Sequence, residues 1–189
     1  MKPIILIAGH NRAGVWPPHR KDPGAICPFE PTCEHYEAEK IVAQAADILR
    51  KQGSQVTVCD FTLDLAGKIK WMNKNYRDAV MIEVHFNSAA SSTATGTETW
   101  YLSKDSIGAY SAKVAQQTLC STLGLRDRGI HGDLENRWGR LGILRDTTNK
   151  GTELLIEIGF ISNRNDLAVC RERGPIAIAK IARELSNHP

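Results

Sequence analysis

The chain has 189 residues, 42% hydrophobic and 24% charged, the range of one compact domain with a sizeable core. Its formal charge of +3 is spread along the chain and not gathered into a run. That distribution excludes a strong nucleic-acid binder and leaves an anionic polymer as a compatible partner.

The opening run Ile4 to Ala8 is too short for a signal h-region and reads as a strand. No stretch approaches the roughly 20 apolar residues of a membrane span. The expectation is a soluble chain, synthesised in the cytoplasm without a signal peptide and without membrane insertion. Residues 11–32 are rich in Pro, Gly and Arg with no sustained periodicity, the character of a functional surface loop. Residues 37–52 place Ala38, Ile41, Val42, Ala45, Ile48 and Leu49 on one helical face, with Gly53 as the stop. Residues 55–59 and 79–86 are Val- and Ile-rich strands, and 97–102 is a further one. Residues 106–122 repeat the helical pattern with Ile107, Tyr110, Val114 and Leu119. A strand over 154–158 and a closing helix over 175–185, with Ile176, Ile178, Ala179 and Ile181, complete the chain. This alternation is the signature of an α/β fold. No internal repeat, low-complexity tract or break in composition marks a second domain, so residues 1–189 are expected to form one. The cysteines Cys27, Cys33, Cys59, Cys120 and Cys170 are an odd set with no CxxC pair. They speak against a disulfide framework and a structural zinc cluster, although Cys27 and Cys33 bracket a loop and are spaced to bridge under oxidising conditions.

Two histidines stand where open α/β sheets keep their ligands, at the carboxyl ends of strands: His10 after the first and His85 in the third. Glu34 lies at the start of the first helix, and Glu157 interrupts the apolar run Leu154, Leu155, Ile156, Glu157, Ile158. Two His and a carboxylate suffice for a catalytic zinc, which keeps a further position open for water. Each residue also has a plainer explanation. A strand-end His is often just hydrogen-bonded, Glu34 suits the helix dipole, and Glu157 could belong to a structural ion pair. Only their conjunction favours a metal hydrolase. A nucleotide-binding domain is disfavoured because no GxGxxG or Walker-type loop follows the first strand.

The motifs AGH ending at His10, KDPGAI at residues 21–26, IEVHFNS at 82–88 and LLIEIGFISN at 154–163 resemble the type 3 family of N-acetylmuramoyl-L-alanine amidases. The last two are specific in that order, and the likeness spans nearly the whole chain. It implies a twisted, mostly parallel mixed sheet of about six strands with helices on both faces, and a catalytic domain without a separate wall-binding domain. It implies one Zn²⁺ per chain held by His10, Glu34 and His85, with Glu157 as the catalytic carboxylate that takes a proton from the attacking water. The substrate implied is bacterial peptidoglycan, cut between N-acetylmuramic acid and L-alanine, and the setting a monomeric phage endolysin that meets the wall after release. In the family the carboxylate ligand lies a little over five turns before the Gly that ends the first helix. Counting back from Gly53 at about 3.6 residues per turn reaches Glu34, with Glu37 as second choice. Asn87, Trp16, Trp138 and His131 are the expected substrate contacts, with packing as the plainer role for the two tryptophans, and Glu83, two residues from His85 on one strand face, either orients its imidazole or is solvated. The chain departs from the family in its longer loop after Gly9, at residues 59–62 and around residues 131–138. These departures bear on specificity and leave the reaction type intact. Alternatives of other classes are a zinc amidohydrolase or carboxypeptidase acting on a small soluble substrate, and a non-catalytic wall-binding protein of the same fold.

Overall fold

A computed structural model describes residues 1–11, 22–136 and 141–187. In chain order the elements are β1 (Ile4–Ala8), α1 (Glu34–Lys51), β2 (Val56–Val58), α2 (Leu65–Asn75), β3 (Val80–Asn87), β4 (Thr97–Tyr101), α3 (Ser106–Leu123), β5 (Asp127–Gly132), α4 (Gly142–Asp146), β6 (Glu153–Phe160) and α5 (Arg164–Ser186). The strands form one six-stranded sheet in the order β2-β1-β3-β6-β4-β5. β2, β1, β3 and β6 run parallel, while β4 pairs antiparallel with β6 and parallel with β5. This is the expected α/β architecture, a mostly parallel mixed sheet covered on both faces. No helix of the described residues is long and apolar enough to cross a membrane.

Strand alternation sends neighbouring residues to opposite faces. Ile4, Leu6, Val80, Ile82, Val84, Leu154, Ile156 and Ile158 pack with α1, α3 and α5 into the larger core. Ile5, Ile7, Met81 and Leu155 pack under Met72 of α2 and Ile143 and Leu144 of α4 in a smaller one. On this second face the polarity changes along the strands. In β3 the buried Met81 is followed by Glu83, His85 and Asn87, and in β6 Leu155 is followed by Glu157. A bulge between His85 and Asn87 interrupts the β3–β6 ladder at the end of the polar stretch, a place where bulges re-aim side chains.

Several elements differ from the sequence-based expectation. The closing helix begins at Arg164 and not at Pro175, which lies inside it. Asn163 caps it, accepting from the Asn165 and Asp166 amides. A Gly-Pro pair ordinarily stops a helix, but here Gly174 lies against neighbouring core. A Cβ on it would come within 3.1 Å of Ile158 Cδ1 and 3.2 Å of Ile41 Cδ1. Tertiary packing thus overrides the local signal. α1 begins at Glu34, the residue expected at the start of the first helix, three residues before the apolar periodicity at residue 37. α2, α4 and β5 carry no sustained apolar period and were not expected; β5 is a polar edge strand, Asp-Arg-Gly-Ile-His-Gly. All five cysteines are free thiols, Cys27 and Cys33 included.

Candidate active site

The carboxyl end of β1 turns sharply into the site. Gly9 donates its N–H to Val84 O (2.8 Å) and its carbonyl accepts from His35 Nδ1 (2.6 Å). His10 then adopts a left-handed backbone, φ 58°, a conformation that persists only where its surroundings hold it. Two glycines allow the close approach. A Cβ on Gly9 would lie 2.4 Å from the His85 ring, and one on Gly24 would lie 2.5 Å from Glu34 Oε2 and 2.6 Å from His10 Cδ2.

Glu34, the first residue of α1, occupies the centre. Its Oε2 accepts from the Ala25 amide (2.9 Å) and its Oε1 from the Phe86 amide (3.1 Å). The same Oε1 lies 2.7 Å from His85 Nδ1 and 3.2 Å from His10 Nε2. Ligand atoms of His10, Glu34 and His85 all fall within 4.8 Å of one another. The far nitrogen of each imidazole meets another carboxylate: His10 Nδ1 donates to Asp22 Oδ1 (2.7 Å), and His85 Nε2 reaches Glu83 Oε2 (3.3 Å). That leaves Nε2 of His10 and Nδ1 of His85 as the nitrogens turned toward Glu34. A carboxylate behind each imidazole is the arrangement that fixes tautomer and ring orientation at metal sites.

The electrostatics are those of a cation site. Burial works to raise the Glu34 carboxyl, but hydrogen bonds and charge from His10 and His85 outweigh it and hold the group well below the carboxylate range. Burial opposes protonation of His85, yet Glu83 and Glu34 raise it well above its ordinary value, and Glu34 and Asp22 raise His10. Basic imidazoles around buried carboxylates fit a divalent cation, whose binding displaces protons. Glu37, the second choice for the carboxylate, is engaged elsewhere. It is buried and receives Arg171 Nε (2.9 Å) and Nη2 (2.8 Å) from α5 together with the Thr32 hydroxyl.

Glu157 sits beside this group, opposite His85 in the β3–β6 register and opposite Glu98 in the β4–β6 register. Its Oε2 is buried without a hydrogen-bond partner among the described residues. Burial, with the nearby charges of Glu34 and Glu98, pushes its pKa up to about 8. Next to it opens a cleft of ≈ 520 Å³ lined by Asn87, Glu98, Trp100, Arg128, Leu141 and Glu157 among others. Glu98 ties the cleft wall together, accepting from Asn87 Nδ2 (3.1 Å), Trp100 Nε1 (3.3 Å) and Arg128 Nε (2.8 Å).

The structure therefore brings together His10, Glu34, His85 and Glu157, with Asn87 in the adjoining cleft. His131 stacks on Trp100 at 4.8 Å and its Nε2 lies 3.1 Å from Arg128 O, next to two residues that line the cleft. Trp16 and Trp138 fall outside the described residues. Sequence reasoning did not single out Asp22, Lys68, Glu98 or Arg128. Asp22 stood within the KDPGAI motif, whereas Lys68 and Arg128 lie on elements without a clear periodic signal.

Fold and site together define an α/β protein with a His-Glu-His cluster and a separate carboxylate at the carboxyl edge of a mixed sheet. The chain belongs to the N-acetylmuramoyl-L-alanine amidase family, whose model matches residues 4–184. It is 28% identical over 188 residues to the uncharacterized protein CPE1502 of Clostridium perfringens, covering 97% of this chain and 51% of that one. The chain thus spans about half the length of the curated relative it matches. Among solved structures it resembles the catalytic domain of CwlV, N-acetylmuramoyl-L-alanine amidase from Bacillus (Paenibacillus) polymyxa var. colistinus. There the TM-score is 0.73 at 28% identity, covering 96% of this chain and 94% of that one. The catalytic domain of the CD27L endolysin targeting Clostridia difficile shares the fold, with TM-score 0.73 at 24% identity over 98% of this chain and 97% of that one.

Proposed function

We propose that the chain is a zinc-dependent amidase that hydrolyses the bond between N-acetylmuramic acid and L-alanine in bacterial peptidoglycan. The observation that carries this is the convergence of His10 Nε2, Glu34 Oε1 and His85 Nδ1 on one point, beside the unpartnered Oε2 of Glu157, in a chain of this family. His10, Glu34 and His85 would hold one zinc. When bound it supplies a Lewis acid that polarises the lactyl carbonyl and acidifies the attacking water, and its charge draws the Glu157 pKa down from about 8.

The protein's own groups do the rest. Glu157 Oε2, having no other partner, takes the proton from the attacking water and then passes it to the nitrogen of L-alanine as that amide bond breaks. Asn87, Trp100 and Arg128 line the space beside Glu157 and form the wall against which a glycan or stem peptide lies. Asp22 and Glu83 keep the imidazoles in the tautomers that turn Nε2 of His10 and Nδ1 of His85 inward. The biological setting we propose is a lytic endolysin, made in the cytoplasm and acting on the wall after release. Its support is the likeness to the endolysin catalytic domain.

The test is turbidity loss on purified peptidoglycan with mass analysis of the products. The expected result is free stem peptides beginning with L-alanine and glycan strands bearing intact lactyl groups, lost with EDTA and restored by zinc. Cleavage only within the peptide stem, or of small soluble amides alone, would contradict the assignment.

A further inference from the structure

α2 contributes one side chain to the neighbourhood of the site, and it is a buried cation. Lys68, 2% exposed, donates from Nζ to the Ala8 carbonyl (2.6 Å) and to Glu83 Oε1 (3.1 Å). Those two acceptors lead to the two imidazoles by separate routes. Ala8 is the last residue of β1, two before His10. Glu83 holds His85 Nε2 through its other oxygen, Oε2, at 3.3 Å. A single ammonium thus bridges the backbone that carries one histidine and the carboxylate that orients the other.

A buried Lys–Glu pair is hard to explain by stability alone. Desolvating both charges consumes most of their mutual attraction, and apolar replacements of similar volume are often neutral or stabilising. Met72, one turn further along α2, is buried in the apolar cluster on the same face of the sheet. What an apolar side chain cannot do is hold the Ala8 carbonyl and Glu83 at a fixed separation.

We propose that Lys68 is a positioning residue for the metal centre: its ammonium clamps the end of β1 to Glu83, and so sets the spacing and orientation of His10 and His85. This also accounts for the left-handed backbone at His10, φ 58°. The turn is held by Lys68 on the Ala8 carbonyl, by His35 on the Gly9 carbonyl and by Val84 on the Gly9 amide. Removing one of these three restraints loosens the His10 ring relative to Glu34. Removing Lys68 also frees Glu83 to swing away from His85, so both imidazoles lose definition at once.

The proposal rests on His10, Glu34 and His85 being a zinc site, and the experiment separates the two claims. Zinc affinity is measured by competition with a chromophoric chelator on the wild type, Lys68→Met and Met72→Ala, with a thermal melt of each. Lys68→Met is expected to weaken zinc binding about 10- to 100-fold, the range for loss of groups that orient metal ligands. Met72→Ala hollows the same helix's contact with the sheet, so it lowers the melting temperature while leaving zinc affinity within about threefold of wild type, which a purely structural role for Lys68 would also do. A Lys68→Met protein that binds zinc as tightly as wild type overturns the proposal, as does Met72→Ala losing as much affinity as Lys68→Met. If Lys68→Met alone does not fold, the Lys68→Met/Glu83→Gln pair removes both charges together. It is expected to fold and to bind zinc more weakly than Glu83→Gln alone, in which Lys68 still holds the Ala8 carbonyl, and an affinity equal to that of Glu83→Gln is equally fatal. A wild-type chain that binds no zinc removes the metal site itself, and with it both claims.

Discussion

The two faces of the sheet are built on different terms. Toward α1, α3 and α5 the central strands β1, β3 and β6 present apolar side chains, and Ile82, Leu154, Ile156 and Ile158 are wholly excluded from solvent. Toward α2 and α4 the apolar cover ends partway along each strand, and the remaining positions carry Glu83, His85, Glu98 and Glu157. Because successive residues of a strand face opposite ways, a stabilising position and a chemical one stand side by side: Val84 beside His85, Ile156 beside Glu157. The rigid face lets the polar one hold like charges close together, an arrangement that an unsupported surface would relax.

The sharpest way to break this division is to change neighbours on β6. Glu157→Gln is expected to lower peptidoglycan hydrolysis by about 10²- to 10⁴-fold, measured as release of stem peptide. Its melting temperature should stay level or rise, because burial already disfavours the charged carboxylate. Ile156→Ala, one residue away, should do the reverse. It should cost about 2–5 kcal/mol in denaturant unfolding while the folded fraction binds zinc as wild type does. Stability loss in the first variant or weakened zinc in the second would show that the faces are coupled.

A smaller effect is expected at Glu153, on the α2/α4 face of β6 but away from the histidines. Burial pushes its pKa up to about 7, against hydrogen bonds from Thr147 and Asn149. A carboxyl whose folded pKa exceeds its unfolded value of 4.5 binds protons more tightly when folded. Its contribution is complete below pH 4.5 and is lost as pH rises through about 7. Glu153→Gln should therefore gain about 1–3 kcal/mol over wild type at alkaline pH, seen as a widening gap in melting temperature between pH 5 and pH 8. Smallest of all, Asp22→Asn should weaken zinc by about tenfold, at the low end because its partnership with His10 is half exposed to solvent.

The contrast between the faces also explains what could be read from the sequence. The apolar face announces itself: β1, β3, β6, α1 and α3 were expected from periodicity because their burial is regular. The strand-end positions of His10, His85 and Glu157 followed from the same pattern, and the family likeness joined Glu34 to them. The thinner face left no such trace. α2 presents few apolar residues to the sheet, so neither the helix nor Lys68 stood out in the sequence, and the ammonium meets Ala8 and Glu83 only once the chain is folded. β5 is polar and glycine-bearing, so Arg128 gave no sign that it reaches across to Glu98 on β4. Helix α5 was shortened for the opposite reason, since a strong local signal at Gly174 and Pro175 is overruled by contact with Ile41 and Ile158. Glu34 stood ahead of Glu37 by its distance from Gly53 in the family pattern, and the partners agree with that order, Arg171 on α5 taking Glu37 and the two histidines Glu34.

The central claim is a division of labour within the cluster: His10, Glu34 and His85 hold the metal and Glu157 moves the proton. Calorimetric titration of zinc into wild type, His85→Ala and Glu157→Gln tests it most directly. The account predicts about one zinc per chain for wild type and for the inactive Glu157→Gln, and little or none for His85→Ala. Equal loss of zinc in the two variants would contradict it, because Glu157 would then be a ligand and the proton would have to travel by another group.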